Sequence, residues 1–144
     1  MLLITTVSTS ILGQDVNTAI KLYENNQTAK SERIFKSINS DHPSYADAQY
    51  YLGRIAFDKE DYDTAEEYFE EAIDENDSKS DYHLWLGNTF GVVAQSSNVF
   101  KQGLLAPKIK SEYERAVELN SKYEDAMWGL VQYYTQAPVF MGVC

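Results

Sequence analysis

A single cysteine, Cys144, leaves no partner for a disulfide within the chain and no second thiolate for a metal site. Proline and glycine are also sparse, 3 and 7 in 144 residues, while 44% of residues are hydrophobic. That balance excludes a disordered chain and is enough for one domain with a continuous core. Lysine and arginine are outnumbered 12 to 22 by aspartate and glutamate, giving a net charge of -10 and a pI near 4.5. Such a surface repels phosphate backbones and anionic lipid, so no nucleic acid is expected as a partner. No stretch approaches the roughly 20 apolar residues of a transmembrane helix.

The usual participants in catalysis are also missing. His42 and His83 are the only histidines, one beside Pro43 in a turn and the other in the first turn of a helix, and neither has an HExxH or HxH neighbour. The acidic run Asp74 to Ser80 has oxygen ligands at alternate positions. Lys79, however, stands where a calcium loop needs glycine, and Trp85 where it needs a bidentate glutamate. The remaining acids, Glu66, Glu67, Glu70, Glu71, Asp74 and Glu75, fit the solvated outer face of a helix. No catalytic residue, cofactor or metal is expected.

What is plentiful is aromatic residues, 13% of the chain with 11 tyrosines, and helical periodicity. From Ala48 to Asn76, Tyr51, Leu52, Ile55 and Ala56 recur at helical spacing, then Tyr62, Ala65, Phe69, Ala72 and Ile73. The charged stretch Asp58 to Asp61 between them turns the second helix back on the first. Phe35 lies 34 residues before Phe69, and Gly53 lies 34 before Gly87. Two anchors on one period mark an internal repeat. A first unit spans about residues 14–45, with Val16, Ala19, Ile20 and Tyr23 on one helix and Ile34, Phe35 and Ile38 on the next, turning at Asn25 to Gln27. A second spans about 46–79 and a third about 80–123. In the third, Tyr113 and Ala116 stand where Phe69 and Ala72 predict them only if ten residues are inserted, near 93–106. Ser96, Ser97, Asn98 and Gly103 act there as breakers, and the second helix resumes near Pro107. The insertion is either a loop on a rigid scaffold or a lengthened hairpin that packs its own Val99, Phe100 and Leu104. A fourth unit, 124–144, holds one helix with Met127, Trp128, Leu130, Val131, Tyr133 and Tyr134, and no second.

Residues 1–13, apolar or small and uncharged, read as the hydrophobic part and small-residue end of a secretory leader that lacks its basic segment. The alternative is that Ile11 and Leu12 extend the first helix. The first reading places the chain in a periplasm or cell envelope, the second in the cytoplasm.

Leu52-Gly53 followed by Ala65, Phe69 and Ala72 resembles the tetratricopeptide repeat, as do Leu86-Gly87 with Tyr113 and Ala116, and Phe35 with the closing Pro43. In the first unit Ala19 stands at the usual glycine, and Ser31 at the usual small residue near the start of the second helix. From Gly87 to Gly142 the chain also resembles a subset of bacterial members, many with secretion signals, through Ser96-Ser97, Phe100, Glu114 to Asn120, Tyr133-Tyr134 and Ala137-Pro138. The resemblance implies an all-α, right-handed solenoid of antiparallel helix pairs, about three and a half repeats long, that binds proteins without turnover. Its groove-facing positions fall on Tyr23, Tyr50, Arg54, Phe57, Leu84, Asn88, Trp128 and Gln132. That lining would suit a peptide or partner helix with apolar anchors, Asn88 and Gln132 holding backbone and Arg54 a carboxylate. The alternative for each of these aromatics is burial between helices. At the level of the whole chain, the alternatives are a docking part of a larger enzyme or assembly, and self-association through the open fourth unit.

Overall fold

The computed structural model describes residues 8–136, with side chains from Asp15 onward. Seven helices follow one another among the described residues: α1 (Ser8–Glu24), α2 (Thr28–Lys36), α3 (Tyr45–Asp58), α4 (Tyr62–Glu75), α5 (Ser80–Gln95), α6 (Val99–Leu119) and α7 (Glu124–Gln136). The fold is all-α, and consecutive helices pack as hairpins, α1 on α2, α3 on α4 and α5 on α6, with α7 against α6 and α5. Most of the leader-like segment, 1–7, and the end of the fourth unit, 137–144 with Pro138, Gly142 and Cys144, lie outside the described residues. Helix α1 begins at Ser8, within the stretch that the leader reading covers.

The first two hairpins turn by the same device. Asn26 and Glu60 adopt φ of 58° and 61°. After each, the next N–H reaches back five residues, from Gln27 to the Leu22 carbonyl at 2.8 Å and from Asp61 to that of Ala56 at 3.0 Å. This Schellman ending satisfies carbonyls that the helix leaves open and reverses the chain sharply. Asp61 then caps α4, its side chain accepting from the Thr64 N–H at 3.3 Å.

Each hairpin is closed by a ring under a small residue. A Cβ on Gly53 would stand 2.7 Å from the Phe69 ring, and one on Gly87 would stand 2.9 Å from Tyr113. Phe35, Phe69, Ala65, Ala72 and Ala116 are fully buried. In the first unit Ser31 occupies the place that Ala65 has in the second, and it is equally buried. Its hydroxyl donates to the Ala19 carbonyl at 2.9 Å, which removes the cost of burying it. Val16, Ala19, Phe35, Ala48, Leu52 and Ile55 form one apolar cluster, and the remaining units form a second. Tyr51 and Tyr68 pack against both.

The inserted residues lengthen the third hairpin, the second of the two readings, and form neither a loop nor a break. Helices α5 and α6 run 16 and 21 residues, against 14 each for α3 and α4, and only Ser96 to Asn98 connects them. Helix α6 starts at Val99 rather than near Pro107, because Asn98 caps it by accepting from the Lys101 N–H at 3.0 Å. Pro107 is therefore inside the helix. It is tolerated because the residue one turn back is Gly103, with no atom within 4 Å of where its Cβ would be, and both face solvent or its edge. The self-packing expected of this segment also fails at its tip. Val99, Phe100 and Leu104 are 64%, 77% and 59% exposed, and burial begins at Leu105, Ala106 and Ile109.

Candidate ligand groove

The first helices of units two, three and four, α3, α5 and α7, line up along one side of the molecule. Between them lies an open cavity of about 440 Å³. Its walls include Tyr50 and Arg54 from α3, Leu84 and Asn88 from α5, and Trp128 and Gln132 from α7. Helical spacing is the reason: residues four apart on one helix share a face, and equivalent helices one repeat apart present that face in parallel.

Two of the sequence-expected residues are elsewhere. Tyr23 donates to Asp58 at 2.8 Å and meets Tyr51 edge-on, with ring centroids 5.6 Å apart. Phe57 is half-buried between Tyr62 and Trp85, edge-to-face with each at 5.3 and 5.2 Å. Both are taken up by packing between helices, chiefly those of neighbouring units, so neither lines the cavity. Tyr50 does line it but is only 8% exposed, its ring stacked on Tyr82 at 5.0 Å. It forms the floor of the groove and belongs to the core.

Arg54 is held in place by rings. Its guanidinium lies over Trp85, 3.7 Å from the centroid, and also faces Tyr23 and Tyr50. One terminal nitrogen donates to the Tyr50 hydroxyl at 2.9 Å, and Nε is buried without a partner. Among the described residues no carboxylate forms an ion pair with it. Asn88 accepts from the Tyr113 hydroxyl at 2.8 Å, which leaves its amide N–H groups for another acceptor. Trp128 is 63% exposed.

Asp81, Trp85, Tyr123, Asp125 and Gly129 also line the cavity and escaped the sequence reading. Their signal was spacing: Asp81 lies three residues before Leu84 and Trp85 three before Asn88, as Asp125 lies three before Trp128. Of the two lining carboxylates, Asp81 is fixed by the next unit, as Asp47 is one period earlier. Asp47 accepts from the Tyr82 hydroxyl at 2.6 Å, and Asp81, one period later, accepts from the Tyr123 hydroxyl. Burial, and then the hydrogen bond to the carboxylate, pushes both phenols well above their ordinary pKa, so they remain donors. His83, buried on the other side of α5, joins Glu112 of α6 at 2.7 Å and is structural. No group of three or more His, Cys, Asp or Glu among the described residues is placed to hold a metal ion, and no described helix is long and apolar enough to cross a membrane.

Repeated helix pairs, rings wedged under glycines and a shared concave face agree with an independent match: a family profile described as Tetratricopeptide repeat covers residues 17–88, half of the chain. The chain belongs to the tetratricopeptide repeat family. Members of that family are generally non-catalytic scaffolds for protein–protein interaction. Superkiller complex protein 3 of Mus musculus is 28% identical over 82 residues, covering 57% of this repeat protein and 5% of the mouse protein. Among solved structures, TTC0263, a thermophilic TPR protein in Thermus thermophilus, superposes with a TM-score of 0.72 at 14% identity. That match covers 86% of this chain and 64% of the other. A monomeric mutant of IFIT1 in complex with m7Gppp-AAAA superposes with a TM-score of 0.71 at 20% identity, covering 85% and 29%. At those identities the likeness is one of fold, and this repeat protein spans less than two thirds of the length of each.

Proposed function

We propose that this protein is a non-catalytic interaction module whose concave groove captures a peptide segment, extended or helical, of a protein partner. The observation that carries this reading is the convergence of Tyr50, Arg54, Leu84, Asn88, Trp128 and Gln132 on one preformed cavity. Trp128 offers a large exposed ring as an anchor at little ordering cost. Arg54, pre-oriented by Trp85 and carrying no ion pair, suits a carboxylate of the segment, while Asp81 and Asp125 suit a cation beside it. The net charge of -10 disfavours a nucleic acid, although the fold-mate IFIT1 holds a capped RNA.

Selection of a displayed random-peptide library on the full chain, followed by calorimetry, tests the reading. Selected peptides should bind Trp128→Ala at least tenfold more weakly, with helicity unchanged because the ring is exposed. Peptides that bind native protein, Trp128→Ala and Arg54→Gln equally would place the binding surface elsewhere. Tyr50→Ala with Phe57→Ala is unsuitable for this purpose, since both rings are packed between helices and their loss would unfold the site.

A further inference from the structure

The second and third units each lay a ring from the first helix against the buried ring of the unit before. Tyr51 stacks on Phe35 with centroids 5.1 Å apart and planes 3° from parallel, and Trp85 lies against Phe69 at 6.5 Å. The next position in the series, one period plus the ten inserted residues beyond Trp85, is Gly129. A Cβ there would stand 2.8 Å from the Tyr113 ring, so α7 is drawn onto Tyr113 and has no ring at this position; its Tyr133, one turn on, reaches the edge of the space instead.

The space left over is a cavity of about 210 Å³ among α5, α6 and α7. Gly91, Ala94, Ala106, Ile109, Tyr113 and Tyr133 line it, and the lining residues added by the longer α5–α6 hairpin are small or polar. The amides of Gln95, Gln132 and Gln136 stand at its margin. We propose that this cavity is a binding site for one planar aromatic ring, supplied by a side chain of the segment that occupies the groove. An apolar cavity of about 150 Å³ accommodates benzene, so the volume suits a phenol or an indole. Tyr113 gives such a ring a stacking or edge-on partner, and the glutamine amides give its hydroxyl or N–H a hydrogen bond. The source of the ring follows from continuity: Gly129 and Gln132 line this cavity and the groove alike. Only that source rests on the groove reading; the ring site itself does not.

The test titrates the full chain with indole and follows backbone amide resonances. Saturable shifts are expected at Gly91, Gly129 and Gln132. Gly91→Leu is chosen to fill the cavity, since a Cβ at 91 meets only the Tyr113 hydroxyl at 3.7 Å, and it should weaken indole binding at least tenfold with helicity retained. Ala94→Leu is a second filling variant. No saturable shift, or equal indole affinity in both filled variants, overturns the site. Phe140→Ala that tightens indole binding tenfold would show the cavity belongs to the chain's own ring and overturns it too. Peptides selected on the native chain should be rich in Trp, Tyr or Phe and lose affinity for Gly91→Leu; peptides indifferent to that change overturn the assigned source. If no peptide is selected and indole still binds, the groove reading fails while the ring site stands.

Discussion

Glu60 holds a backbone conformation, φ of 61°, that costs a residue with a side chain about 1 kcal/mol relative to glycine. Asn26, at the equivalent turn with φ of 58°, is one of the residues that tolerate it; glutamate is not. Both are exposed, so nothing in packing explains the choice at 60. Glu60→Gly should therefore stabilise the protein by about 0.5–1 kcal/mol, part of the gain being offset by the freer unfolded chain. A rise of about 2–4 °C in the melting temperature is expected, and a fall would show that the Glu60 side chain makes a contribution the backbone argument misses. Gly53, Gly87 and Gly129 show the opposite case, since each is glycine because a ring occupies the space where a Cβ would be.

Among the elements, α6 departs furthest from its sequence. Gly103 and Pro107 are ordinarily signs of a break, yet the helix runs through both. Asn98 starts it and the face carrying Leu105, Ile109, Tyr113 and Ala116 anchors it against α5, so burial overrides local preference. Pro107 still leaves the Gly103 carbonyl without a helix donor. Pro107→Ala should restore that bond and raise the urea midpoint, by a stability gain of about 1–3 kcal/mol. An unchanged midpoint would mean that the turn at Gly103 is already relaxed around the missing bond.

At the scale of the whole molecule, tyrosines carry much of the contact between units, and alkaline pH is the way to probe them. The hydroxyls of Tyr23 and Tyr113 are pushed up to about 12 from an ordinary 10.0, in both by burial first and in Tyr23 also by its bond to Asp58. Between those values the unfolded chain ionises while the folded one does not. Stability is thus complete below about pH 10 and is lost as pH climbs toward 12. Thermal melts read alongside tyrosinate absorbance should show a flat melting temperature that falls through this window. Replacing Tyr23 and Tyr113 with phenylalanine should lessen the fall, Tyr82 and Tyr123 supplying the remainder, and an undiminished slope would assign all of it to other groups.

Periodicity alone placed the hairpins, because burial of Phe35, Phe69 and Tyr113 under Ala19, Gly53 and Gly87 depends on spacing that any helix of this composition must obey. The groove positions came instead from the resemblance to the repeat family, and of these Tyr50, Arg54, Leu84, Asn88, Trp128 and Gln132 line the cavity. What spacing could not tell is which rings are spent inside. Tyr23 and Phe57 have the right register for the groove, yet they are consumed by Tyr51 and by Trp85, and Tyr50 becomes its floor. Nor could the one-dimensional pattern reveal that Gly129 leaves a ring-sized space beside Tyr113, or choose between a loop and a lengthened hairpin for the inserted residues. Those outcomes depend on how neighbouring units share volume, and only the packed tertiary structure decides it.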